Sequence, residues 1–77
     1  MSQWKEEIRI ITEHGPFTPD ELKGFSVQQT ADYFYVTSWI LRQDGKDAFV
    51  AGQRELRELL LRRLESGERL NPLATGD

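Results

Sequence analysis

Glycine spacing limits the length of every regular element that this chain can form. Gly15, Gly24, Gly45, Gly52 and Gly67 each lie where one hydrophobic pattern ends or another begins. Glycine adopts the backbone conformations that end helices and form tight turns at little cost, so it commonly marks such boundaries. The chain contains no internal repeat. The spacing therefore predicts a few short elements around one core.

That core has to come from packed apolar side chains alone. The 77 residues include no cysteine and one histidine, so neither a disulfide nor a zinc site is available to stabilise the fold. A domain of this size buries only about 60% of the surface of its unfolded chain. We expect one domain over residues 1–67 and a flexible tail over residues 68–77, in which Leu70 and Leu73 could fold back onto the domain.

The first and last segments of the domain have the hydrophobic spacing of helices. In residues 2–14, Trp4, Ile8 and Ile11 follow an i, i+4, i+7 pattern. In residues 53–66, one face consists of leucines, namely Leu56, Leu59, Leu60 and Leu64. Both patterns predict an amphipathic helix.

Two short segments between these helices begin with the capping pattern of a helix N-terminus. Thr18 is followed three residues later by Glu21, which is the spacing of a capping box, and it predicts a short helix over residues 18–24. Ser26 and Gln29 repeat the spacing and predict the start of a third helix.

The continuation of this third segment is open to three interpretations. A helical stripe runs from Val27 to Leu41, but residues 33–41 are rich in the aromatic and β-branched side chains that favour strands. Asp44-Gly45 is typical of a two-residue hairpin turn, with residues 47–50 as the return strand. Residues 33–42 are thus a strand, a helix, or a helix that gives way to a strand, and most versions keep the hairpin. The predicted fold class is α+β, a small helical domain with one β-hairpin.

The predicted order of helix, short helix, helix, hairpin and helix resembles that of a winged helix-turn-helix domain. The likeness is carried by residues 8–22, IRIITEHGPFTPDEL, where the first helix stops at Gly15 and the second starts at Thr18. It covers residues 4–51. The resemblance implies that residues 30–45 form a recognition helix and the approach to the wing, and that the domain regulates transcription by binding DNA.

The chain offers few groups for catalysis. Its one imidazole, His14, ends the first helix, where a cation interacts favourably with the helix dipole. The sequence contains neither a Gly-x-Ser-x-Gly nucleophile motif nor a glycine-rich phosphate loop. We therefore expect no enzymatic activity, no cofactor and no metal site.

The net charge of −3 limits nucleic-acid binding to a local patch, because such binding depends on clustered Lys and Arg. Residues 25–41 contain neither. The last helix carries arginines, but glutamates interleave with them, which is typical of a solvated helix. The candidate nucleic-acid contacts are Gln28, Gln29, Thr37, Arg42, Lys46, Arg54 and Arg57.

Aromatic side chains favour a protein partner instead. A core this small cannot bury all of residues 33–40, and Tyr and Trp are frequent interface anchors. The candidate partner contacts are Tyr33, Tyr35 and Trp39. We predict a small acidic regulatory module that acts through protein–protein contacts, as an adaptor or inhibitor of a larger machine. The alternatives are the winged-helix DNA-binding regulator and a homodimer joined by the last helix or by strand pairing along residues 47–51.

Localisation is predicted from the segments that the chain lacks. Residues 1–7 have no basic start followed by an apolar stretch, as a signal peptide would. No apolar run approaches the roughly 20 residues of a membrane span. We expect a cytoplasmic protein without membrane contact.

Overall fold

Residues 3–73 are described by a computed structural model, and every regular element among them is an α-helix. The elements are α1 (Gln3–His14), α2 (Pro19–Leu22), α3 (Val27–Asp44), α4 (Lys46–Ala51) and α5 (Gln53–Ser66). The predicted helices over residues 2–14, 18–24 and 53–66 are confirmed to within two residues at each end that the structure describes. The α+β fold class is wrong, since the described part of the chain is all-helical and helix stands where the hairpin was predicted.

Residues 33–41 are helical because a helix places their buried side chains on one side of α3, where they pack into the core. Tyr33, Val36, Thr37 and Leu41 are buried and recur at intervals of three or four residues, which a strand would place on both faces. The Thr37 hydroxyl donates to the Tyr33 carbonyl oxygen at 2.6 Å, so it finds its partner within the helix. Packing therefore overrides the strand preference of the sequence.

The predicted turn at Asp44-Gly45 is a corner between two helices. Gly45 has a φ of +87°, and its N–H donates to the Leu41 carbonyl oxygen at 2.9 Å to end α3. Its own carbonyl oxygen then accepts from the Phe49 N–H at 3.0 Å, within the first turn of α4. Because α4 buries Phe49, residues 47–50 form no return strand, and strand pairing along residues 47–51 is not available for a dimer.

Both predicted capping boxes are confirmed. The Thr18 hydroxyl accepts from the Glu21 N–H at 3.2 Å, and a Glu21 carboxylate oxygen accepts from the Thr18 N–H at 2.8 Å. The same reciprocal bonds join Ser26 and Gln29, at 3.1 and 2.8 Å. These local bonds explain why α2 and α3 begin where the sequence indicates.

An inner aromatic cluster, Phe17, Phe25, Tyr33 and Phe34, lies where the α1–α2 loop meets α3. The Tyr33 ring is 5.2 to 6.1 Å from the other three rings, and two of these contacts are edge-on. Its hydroxyl accepts from the Phe17 N–H at 3.2 Å and donates to the Phe17 carbonyl oxygen at 3.4 Å. The buried phenol therefore holds the loop against α3.

Three bidentate ion pairs connect elements that are distant in sequence. Each arginine donates to both carboxylate oxygens of its partner at 2.7 to 3.0 Å, the geometry in which such pairs are strongest. The pairs are Glu7–Arg42 between α1 and α3, Glu21–Arg57 between α2 and α5, and Asp32–Arg69 between α3 and the segment after α5.

The segment after α5 packs back onto the helices. Gly67 adopts a left-handed conformation with φ +75°, which lets the chain reverse at the end of α5. Leu70 is fully buried in the core and Asn71 is also buried. Of the predicted flexible tail over residues 68–77, residues 74–77 lie outside the described residues.

Candidate functional site

An apolar groove of about 320 Å³ lies between α3, α5 and residues 70–73. Leu60 and Leu70, which are almost fully buried, line its depth. Half-exposed Trp39 and Leu59 are on its sides, and Leu73 is 69% exposed. The complete lining is Tyr35, Val36, Trp39, Ile40, Leu56, Leu59, Leu60, Leu70, Asn71, Pro72 and Leu73.

Helical spacing on two neighbouring helices produces this groove. On α3, residues 35, 36, 39 and 40 form two adjacent columns along one side of the cylinder, and residues 56, 59 and 60 do the same on α5. The inner column of each helix packs into the core. The outer column, which includes Trp39 and Leu59, is left at the opening.

Two of the charged side chains next to the groove in sequence, Arg42 and Arg69, are paired within the chain. Arg42, one turn beyond Trp39, donates to Glu7, and this bond lowers the pKa of the Glu7 carboxyl. Arg69, directly before Leu70, lowers the pKa of Asp32 in the same way. Both carboxylates are therefore ionised and neutralised locally near pH 7, so these pairs leave little net charge beside the groove.

Two of the three predicted partner contacts meet at the groove. Tyr35 and Trp39 lie one turn apart on α3, and they are 57% and 47% exposed. Tyr33 instead belongs to the inner aromatic cluster, is fully buried, and has its pKa raised by burial. It is not accessible to a partner, because it points into the core that holds α3 and the α1–α2 loop together.

The predicted polar contacts to nucleic acid have structural partners. Thr37 is fully buried, and its hydroxyl is bonded within α3. Gln29 closes the capping box with Ser26. Gln28 is exposed, but its amide donates to Asp32 at 3.1 Å. The structure therefore does not bring these three side chains together on one open face.

The predicted basic contacts divide into two kinds. Lys46 and Arg54 are exposed on α4 and α5. Arg42 is bound to Glu7. Arg57 makes more hydrogen bonds within the domain, because it donates to both oxygens of Glu21 and to the Pro16 carbonyl oxygen. Half of the predicted basic residues thus serve contacts inside the domain.

Arg57 also contacts the inner aromatic cluster and changes the pKa of Glu21. Its guanidinium carbon lies 5.0 Å from the centre of the Phe17 ring, a cation–π contact on the inner aromatic cluster. Its hydrogen bonds, together with that from the Thr18 N–H, lower the pKa of Glu21 from 4.5 to about 2. Arg57 therefore joins α5 to α2 and to the loop before it.

Leu59 and Leu73 are exposed residues of the groove that the sequence pattern did not indicate. The leucine pattern groups Leu59 with the other leucines on one face of α5, yet Leu59 is 42% exposed. Its position at the edge of the leucine stripe was the available signal, because the edge of an apolar stripe is the part that neighbouring elements cover least. The apolar character of Leu70 and Leu73 indicated that this segment could fold back onto the domain, but no pattern indicated that residues 70–73 would form the third wall of the groove.

Residues 3–73 contain no group of three His, Cys, Asp or Glu side chains arranged to hold a metal ion. His14 is exposed on α1, and its Nε2 lies 3.8 Å from a Glu13 carboxylate oxygen. None of the helices in this same range has the length and apolar character needed to cross a membrane.

In comparisons with protein-family models, curated proteins and solved structures, nothing matches this chain. The resemblance to a winged helix-turn-helix domain therefore stays a prediction.

Proposed function

We propose that this chain is a small non-catalytic regulatory module that binds another protein through the apolar groove. The observation that carries the proposal is an apolar opening flanked by Tyr35, Trp39 and Leu59, all of which are substantially exposed. Aromatic anchors beside an apolar pocket are typical of the energetic centre of protein interfaces. Adjacent exposed apolar side chains of this kind commonly mark a binding site.

The lining favours a protein over a small polar ligand. A groove of about 320 Å³ is at the lower end of the range for small-molecule sites, which use a few placed polar groups to orient the ligand. Apart from the Tyr35 hydroxyl and the Trp39 indole N–H, Asn71 supplies the only polar side-chain group of the lining, and its oxygen already accepts from the Leu73 N–H at 3.0 Å. Apolar side chains of a partner match such a surface better.

The predicted DNA-binding alternative has less support from the contacts. It needs open basic groups, but Arg42 and Arg57 are bound to carboxylates, and Thr37 is buried. Binding to duplex DNA would also fall steeply as salt concentration rises, because phosphate contacts release counterions.

Site-specific photo-crosslinking in the native cell tests the proposal. A benzophenone amino acid replaces Leu59, and in a matched control it replaces Leu61, which is exposed on α5 but does not line the groove. We expect position 59 to form an adduct with a protein of different sequence, identified by mass spectrometry, and position 61 to form none. Equal adducts at both positions, or none at position 59, would contradict the proposal. Salt-sensitive binding to duplex DNA by the purified chain would favour the alternative.

A further inference from the structure

We propose that residues 68–73, the closing segment, are an autoinhibitory strap that blocks one end of the channel between α3 and α5 and is displaced when the groove binds its protein partner. This inference rests on the proposed function, because the partner is the protein that the groove is proposed to bind. The closing segment then regulates that binding, since the apparent affinity falls in proportion to the fraction of the chain in which the segment is open.

The closing segment crosses from the end of α5 to the first half of α3. The Arg63 Nε, in the last turn of α5, donates to the Arg69 carbonyl oxygen at 2.5 Å. Arg69 donates in turn to both carboxylate oxygens of Asp32 on α3, at 2.7 and 2.9 Å. The next residue, Leu70, is fully buried in the core. The segment therefore lies across the space between the two helices.

This crossing shortens the groove. On α5 the groove is lined by residues 56–60, which span about 6 Å of the helix axis, although α5 continues to Ser66. A partner helix that inserts side chains at positions i, i+4 and i+7 needs about 10 Å of channel. The closing segment, which contacts Arg63, occupies the length that is missing.

Side chains make the contacts that hold the closing segment on the two helices. Leu70 is buried, Arg69 pairs with Asp32, and Arg63 pairs with Glu68 at 3.2 Å as well as with the Arg69 carbonyl oxygen. The helices themselves are held by continuous backbone hydrogen bonds. A segment attached by a few side chains opens at a lower free energy than such helices unfold, so it can open while α3 and α5 stay folded.

Gly67 is the hinge of this movement. It has a φ of +75° directly before the closing segment, and glycine reaches positive and negative φ values with similar ease. Its N–H donates to the Leu64 carbonyl oxygen at 3.2 Å and so keeps the end of α5 in place. A rotation at this residue moves the segment without unwinding the helix before it.

Leu70 is the internal competitor of a partner side chain. Leu70, Leu60 and Val36 all line the groove, and all three are buried. When the closing segment opens, Leu70 leaves and the buried surfaces of Leu60 and Val36 meet water, which is unfavourable until another apolar side chain covers them. Partner binding and segment opening therefore favour each other.

Amide hydrogen exchange of the purified full chain, followed by NMR, tests the opening without any partner. In the parent, the amides of Leu70, Asn71 and Leu73 should exchange at least about tenfold faster than the most protected amides of α3. Exchange of these amides only as slowly as that of the α3 core overturns the inference, because the segment would then open only when the whole chain unfolds.

Two matched substitutions then change the hold on the closing segment. Asp32→Asn removes the charge that pairs with Arg69 and should speed exchange over residues 70–73 by a further factor of about ten. Glu7→Gln removes the same charge from the bidentate pair with Arg42, which joins α1 to α3, and should leave this exchange at the parent rate. Arg69→Gln breaks the first pair from its other side and should act like Asp32→Asn. Far-UV circular dichroism checks that each variant keeps its helices.

Photo-crosslinking at position 59 in the native cell connects the opening to binding. Asp32→Asn should raise the yield of the adduct with the partner protein by at least about twofold, and Glu7→Gln should not. An unchanged or lower yield despite faster exchange overturns the inference, since the closing segment would then be a wall of the site and not a competitor, while the proposed function survives. Absence of any adduct from the parent and all variants contradicts the proposed function, and the regulation proposed here falls with it.

Discussion

The two aromatic regions of α3 have similar residues and opposite environments. The inner aromatic cluster surrounds Tyr33, which is fully buried and bonded through its hydroxyl to Phe17. The groove side presents Tyr35 and Trp39, which are about half exposed. Tyr33 and Tyr35 are two positions apart, so their side chains point roughly 200° apart around the helix.

This contrast shows that aromatic content alone does not locate a binding surface. In the inner cluster, every ring packs against another, and the phenol oxygen has two hydrogen-bond contacts with Phe17. On the groove side, no described element covers the rings. We therefore expect substitutions in the inner cluster to change stability, and substitutions on the groove side to change binding.

The largest expected difference is between Tyr33→Ala and Tyr35→Ala. Removing the buried ring should lower the free energy of unfolding by about 3–5 kcal/mol, since it leaves a cavity and unpaired backbone groups at Phe17. Removing the exposed ring should change it by no more than about 0.5 kcal/mol. Urea unfolding followed by circular dichroism measures both. Similar losses for the two variants would contradict this prediction, because Tyr35 would then be part of the core.

A smaller loss is expected from Gly15→Ala, which crowds the inner cluster from the α1 side. A Cβ at this position would overlap the carbonyl oxygen of Ile11 and lie 2.8 Å from the Tyr33 hydroxyl. Such overpacking should cost about 1–3 kcal/mol in the free energy of unfolding.

Gly24→Ala is the matched control for this crowding. A Cβ at Gly24 meets nothing closer than the Glu21 carbonyl oxygen at 3.6 Å, which is an ordinary contact. Its effect in the same urea titration should stay within about 0.5 kcal/mol. A loss at Gly24 as large as that at Gly15 would show that neither the Ile11 carbonyl oxygen nor the Tyr33 hydroxyl limits the space at Gly15.

The smallest expected effect is on stability in acid, through the Glu21–Arg57 ion pair beside the inner aromatic cluster. The hydrogen bonds from Arg57 and the Thr18 N–H lower the pKa of Glu21 from 4.5 to about 2 in the folded chain. The carboxylate therefore contributes stability that is fully present above pH 4.5 and is lost as the pH falls towards 2. Melting temperature measured across this range should fall less steeply for Glu21→Gln than for the parent.

Arg57→Met should reduce the acid dependence in the same direction, because it removes the cation that lowers the pKa of Glu21. Parallel pH profiles for the parent and both variants would mean that the Glu21–Arg57 pair contributes nothing to the acid response. Glu7 and Asp32, whose pKa values are also lowered by arginine partners, would then account for it.

Sequence alone determined the features whose causes lie within a few residues. The capping boxes at Thr18 and Ser26 follow from local hydrogen bonds, and the end of α5 follows from the left-handed conformation of Gly67. The aromatic surplus that suggested a protein partner was also visible there, and it included Tyr35 and Trp39. These signals do not depend on where the rest of the chain lies.

Only the tertiary structure decided which faces are covered. Residues 33–41 became helical, and the Asp44-Gly45 turn became a helix corner, because α3 and α4 bury Tyr33, Leu41 and Phe49 in a shared core. The same packing hides Tyr33, leaves Tyr35 and Leu59 exposed, and brings residues 70–73 to the groove. Burial depends on contacts between residues that are far apart in the chain, and no local pattern in one sequence specifies those contacts.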